Sequence, residues 1–147
     1  MGAIKLGRNA TINRNTGTYG SPVWSNVALA KDVTLNLDKT EADASSRFSG
    51  WTLTVGALKN ATVEFEVIED TTDANWTALK NSFINGTEID IAVLNGPSAT
   101  SGSNGVRAYW EVMSFNRNEP LTGIITRTVT MKPTWPTDGN MPVEMTV

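Results

Sequence analysis

The chain has 147 residues, 12 Lys and Arg against 15 Asp and Glu, no cysteine and no histidine. That is enough chain for one domain with a real core, and a net charge of −3 lacks the basic excess that grips nucleic acid. Without Cys or His there is no disulfide framework, no thiolate zinc site and no imidazole base.

The start, MGAIKLGRNATINRNTG, has scattered apolar residues and no h-region, so it is not expected to be a signal peptide. Leu6 stands where a myristoylation signal needs Ser or Thr. No apolar run reaches the roughly 20 residues of a membrane span, and no membrane anchor is expected. Residues 1–25 are read as an N-terminal arm, 31–132 as the core and 133–147 as a C-terminal arm of a single domain spanning 1–147.

Strand patterning begins at residues 27–38, where Val33, Leu35 and Leu37 alternate with Thr34, Asn36 and Asp38. The next stretch is KTEADASSRFSGW. It brings Asp38, Glu41 and Asp43 close to Arg47 and Trp51. Paired carboxylates can cleave a glycosidic bond when they flank it; acids at a hairpin are more often solvated surface or a contact loop. Trp51, Leu53 and Val55 alternate again. In residues 61–68, Val63, Phe65 and Val67 take one face, Glu64 and Glu66 the other.

Residues 70–85 break the pattern. Trp76, Leu79 and Phe83 follow the helical period, Thr72 or Asp73 can cap the start, and Gly86 can end the helix left-handed. One helix is predicted over about residues 72–85. Glu69, Asp70 and Asp73 have oxygens for calcium but not the spacing of a calcium loop, and acids at a helix start follow from its dipole. No metal and no cofactor are expected.

Strand-like runs follow at 89–94, 106–115 and 123–132. Between the first two, NGPSATSGSNG is all turn formers and reads as a flexible, exposed loop marked by Asn95, Gly102, Asn104 and Gly105. Pro133, Pro136 and Pro142 make residues 131–142 an irregular arm; it carries Trp135. Trp76 reads as core, and Trp51 and Trp110 as core or interface. Five tryptophans also leave open a carbohydrate-binding β-sandwich, since sugars stack on aromatic faces. No phosphate-binding glycine loop occurs, and Ser45 and Ser46 have no base beside them, so an enzyme is not expected.

The fold class is therefore mainly β, a sandwich or barrel with one flanking helix and long hairpin loops. The order KDVTLNLDKTEADASSRFSGW, ATVEFEVIED, DANWTALKNSFINGT and EIDIAVLNG, with Gly105 to Arg107 and a Pro120 to Gly123 turn behind it, resembles the tail tube proteins of long-tailed bacteriophages. The resemblance covers roughly residues 31–133. It implies six subunits in a ring, rings stacked into a hollow tube, an inner wall that is a shared β-barrel, and DNA passing without specific binding. It implies partners at the tube's ends and interior (tape measure, tail terminator, baseplate or tip) and a place in the virion tail after synthesis in the bacterial host cytoplasm. Asp38, Glu41, Asp43, Arg47 and Trp51 would then form an inter-subunit contact loop, the loop from Asn95 to Gly105 would order on assembly, and Trp135 would make an arm contact.

Overall fold

The computed structural model describes residues 4–147. Among them, eight strands form one antiparallel sheet: β1 (Thr11–Asn15), β2 (Trp24–Asn26), β3 (Ala30–Asp43), β4 (Thr54–Ile68), β5 (Ile89–Leu94), β6 (Asn104–Asn118), β7 (Thr126–Pro133) and β8 (Val143–Thr146). The helix α1 (Ala74–Asn85) lies between β4 and β5. The sheet runs β2-β1-β5-β6-β7-β4-β3, with β8 added to β6.

β6 joins two halves. Its first residues pair with β5 and β8, and its last, from Trp110 to Asn118, pair with β7. A bulge between Val112 and Ser114 breaks the β6–β7 register, and a bulge bends its strand. The bend lets the halves share one core: Ile12, Ile91, Val93 and Trp110 from one side, Val63, Phe65, Val67, Val129 and Met131 from the other. The alternation read in ATVEFEVI is what puts Val63, Phe65 and Val67 inside and leaves Glu64 on the outer face.

The helix is capped as its sequence indicates. Asp73 accepts the Trp76 N–H at 3.1 Å, and Gly86 closes the far end at φ 67° with its N–H on the Ser82 carbonyl. Trp76 and Leu79 are buried, but Phe83 is half exposed, and Ser82 takes the third inward position. The β6 bulge explains the exchange. Ser82 Oγ accepts the Val112 N–H at 3.2 Å and donates to the Thr87 carbonyl at 2.6 Å. A hydroxyl is needed where the strand exposes an amide beyond the end of β5.

Both terminal arms are more structured than the sequence indicates. From Thr11 the N-terminal segment is a strand pair, with β1 between β2 and β5 and Ile12 in the core. TINRN hides this, because its inward Arg14 is satisfied by Asn75 at 2.8 Å rather than by apolar burial. At the other end β8 pairs with residues 104–107, and only residues 134–142 are irregular. Of the short alternation at residues 51–55, only Val55 lies in a strand, near the start of the 15-residue β4 (Thr54–Ile68); Trp51 and Leu53 precede it.

Candidate assembly surface

β3 and β4 pair without a third strand over much of their length. Their register runs from Ala30 opposite Val67 to Asp43 opposite Thr54, whereas β7 covers β4 only from Val63 to Ile68. The remainder is a two-stranded ribbon ending in residues 44–53. A β4 bulge between the Lys39 and Glu41 pairings interrupts it, and Thr40 Oγ1 accepts the Leu58 N–H there at 2.8 Å. A bare ribbon is marginal in water, and this one is apolar at its end: Phe48 is 98% and Trp51 79% exposed, with Leu53, Val55 and Leu58 also exposed. Such a patch makes the ribbon end a candidate interaction surface.

The ribbon carries the acidic residues that the sequence places together, but spreads them. Asp38 lies opposite Asn60, Glu41 opposite Gly56 and Asp43 opposite Thr54. Strand alternation puts Glu41 and Asp43 on one face and Asp38 on the other. Ser45, through its side chain and then its backbone N–H, holds the Asp43 carboxyl below the ordinary carboxylate range. Arg47 sits in the tip and forms no ion pair with these acids among the described residues.

The calcium candidates have other partners. Glu69 accepts the Arg127 guanidinium at 2.8 Å, Asp70 accepts the Thr72 hydroxyl at 2.6 Å, and Asp73 caps the helix. The loop from Asn95 to Gly105 is tied at its base. Asn95 and Asn104 exchange hydrogen bonds, Ser103 Oγ donates to the Pro97 carbonyl at 2.8 Å, and Gly102 donates to Val147. Only its tip is open. Trp135 is 81% exposed on residues 134–142, which are pinned by two carboxylates: Asp138 accepts the Tyr109 hydroxyl and Glu88 accepts from Thr137.

The outer face of β6, β7, β4 and β3 is polar in rows. Ser114, Thr130, Glu64 and Thr34 make one row, and Asn116, Thr128, Glu66 and Lys31 the next. Among the described residues, β3 forms one open edge of this half-sheet, and the end of β6 past Trp110 has no strand on its other side.

No family model matches the sequence, and no curated protein matches it. Solved structures do match. The tail of an empty gene transfer agent particle, refined helically with C6 symmetry, gives a TM-score of 0.73 at 14% identity, over 98% of this chain and 99% of that one. The SPP1 tail tube gives 0.72 at 8% identity, over 97% and 78%. This chain has the tail-tube fold. The virion of the native gene transfer agent gives 0.71 at 12% identity, over 98% and 99%. The resemblance read from the order of segments thus holds for the tail-tube fold, at identities too low to carry residue roles across.

One cluster in this fold is not evident from the sequence reading. Arg107 pairs with Asp90 at 2.6 Å with both side chains buried, and its guanidinium lies 3.8 Å from the Tyr19 ring and 4.9 Å from that of Trp24. Hydrogen bonding to Asp90 raises the Arg107 pKa further. The pair anchors residues 16–23 onto the sheet, since Arg107 also donates to the Tyr19 carbonyl at 3.0 Å. The available signal was a charge inside each apolar run: Asp90 in IDIAVL and Arg107 between Val106 and Ala108.

Proposed function

We propose that this chain is a non-catalytic structural subunit of a phage tail tube, with six copies closing into a ring and rings stacking into a hollow conduit for DNA. The observation that carries the reading is the polar half-sheet with two open edges. Joined edge to edge, β3 of one copy to the end of β6 of the next, such half-sheets make one continuous wall. Open edges are otherwise a liability, and a heterologous contact repeated by rotation closes into a ring.

The rows of Ser, Thr, Asn and Glu then face the lumen, with Lys31 the one base in them, paired with Glu66. A wall that is neutral to acidic releases no counterions from phosphate, so DNA slides without being held. The β3–β4 ribbon projects from the wall toward another subunit, carrying Asp38, Glu41, Asp43, Arg47 and Trp51 into the contact. The tip of the Asn95–Gly105 loop and Trp135 provide further contacts. The same assembly brings in a tape measure, a tail terminator and a baseplate or tip, and places the chain in the virion tail after synthesis in the host cytoplasm.

Negative-stain electron microscopy of concentrated protein tests this. Hollow tubes with six-fold end views are expected. Single subunits at the highest soluble concentration would count against self-assembly.

A further inference from the structure

The sheet does not close completely. Between β3–β4 on one side and β5, β6 and β8 on the other lies a cleft of about 980 Å³, at the upper end of small-ligand pockets. Val33, Leu35 and Leu37 form part of one wall, Val93, Val106 and Val143 part of the other. No residue from Thr40 to Leu58 lines it. The cleft is therefore roofed at the ribbon's root and left empty by the ribbon's end.

Two aromatic side chains of the same chain have the opposite problem. Phe48 and Trp51 stand almost bare at the ribbon tip, and each such ring has roughly 150–250 Å² to bury. Neither is among the residues that line the subunit's own cleft. The cross-strand pairs from Leu37–Ala61 to Asp43–Thr54 keep the ribbon extended, and at about 3.3 Å per residue the tip begins well over 10 Å along the strand from Lys39 at the rim.

Charge points to the same occupant. Lys39 and Lys59 are directly opposite each other at the rim, a like-charge pair that disfavours the free subunit, and neither has an ion-pair partner among the described residues. Asp38 shares the rim. The tip brings one acid, Asp43, and one base, Arg47.

We propose that the cleft receives the ribbon tip of a second copy, with Phe48 and Trp51 buried against its apolar walls, Asp43 meeting Lys39 and Lys59, and Arg47 meeting Asp38. This rests on the tube reading and names the partner surface for its ribbon. A knob at one place and its hole at another can repeat head to tail from copy to copy, as the tube reading requires, whereas a reciprocal two-fold exchange of knobs would stop at a dimer and give no ladder.

The chain has no cysteine, which makes the test clean. The double variant Phe48→Cys/Val143→Cys, oxidised mildly at high concentration, is expected to give a ladder of covalent multimers on non-reducing gels. Each single variant is expected to give dimers at most. Microscopy of the same sample reports separately on tubes. A ladder without tubes supports the knob and cleft while counting against the tube; tubes without a ladder overturn the knob and cleft and leave the tube standing. Absence of both overturns the knob and cleft as well. A ladder from Ile4→Cys/Val143→Cys in place of the first would also overturn it, assigning the cleft to the N-terminal segment.

Discussion

The hydroxyl of Ser82 on the helix accepts the backbone N–H of Val112 on β6, at 3.2 Å. This one contact couples the helix to the bulge that bends the sheet. Removing the hydroxyl leaves a buried amide without a partner, which costs about 1–3 kcal/mol. Ser82→Ala should lose that much in urea unfolding, while Asn81→Ala on the exposed side should change stability by less than about 0.5 kcal/mol. Equal effects from the two would remove the helix–bulge coupling.

The Asp90–Arg107 pair is buried, with side-chain exposures of 8% and 10%; Arg117–Glu119 is open to water at 49% and 57%. Breaking a buried pair strands a charge and costs roughly 3–5 kcal/mol, whereas a surface pair contributes about 0–1. Asp90→Ala should therefore lower the melting temperature far more than Glu119→Ala. Similar shifts would show that residues 16–23 do not seal Arg107 from solvent.

Gly105 has no room for a side chain. A Cβ built there lies 1.6 Å from the Val93 carbonyl oxygen, on the neighbouring strand. Gly105→Ala must push β5 and β6 apart, at about 3 kcal/mol or more, and should reduce soluble yield. Gly50→Ala, with nothing within 4 Å, should be silent. Normal solubility and melting of Gly105→Ala would show that the two strands separate easily.

The Tyr109 hydroxyl donates to Asp138 and holds its carboxyl below the ordinary 3.8. Burial first, then this bond, pushes Tyr109 above its ordinary 10, so the phenol stays protonated at neutral pH. A depressed carboxylate stabilises the folded state fully above its unfolded pKa, and the contribution disappears as pH falls through the folded value. The raised Tyr109 contributes in the opposite sense, its share being lost as pH rises above the ordinary tyrosine value, so residues 134–142 should loosen in acid and again in strong alkali, but not near neutral pH. In Tyr109→Phe, an NMR titration should find the Asp138 carboxyl moved up toward its ordinary value; an unmoved titration would mean the clasp does not exist in solution.

Glu64 lies on the polar face with no ion-pair partner among the described residues. If that face lines the lumen, Glu64→Lys places a ring of cations along the DNA path while changing subunit stability by less than about 0.5 kcal/mol. DNA ejection from particles carrying it should slow or stop, more so at low salt. Ejection at the normal rate would count against this face being the inner wall.

Much of this was legible locally. Period-two alternation located the strand cores of β3 and β4, because one side of each faces the core, while β5 was legible as a continuous apolar run because it is buried on both faces. The helix and both its caps could be read from Asp73, Trp76, Leu79 and Gly86, since capping is satisfied within a few residues. What stayed hidden depends on distant partners. β1 reads as polar because Arg14 is matched by Asn75, 61 residues away. Ser82 looks like a surface residue until the β6 bulge presents an amide to it. The acids from Asp38 to Asp43 are neighbours in sequence, yet strand alternation turns them to opposite faces. The cleft lies between β3–β4 and β8, which are far apart in sequence and meet across it only in the folded chain. By itself the sequence determined the helix, the central strands and the acidic, cysteine- and histidine-free chemistry. The tertiary structure alone decided which apolar residues remain uncovered, because exposure is set by what packs across the fold, and that leaves Phe48 and Trp51 bare.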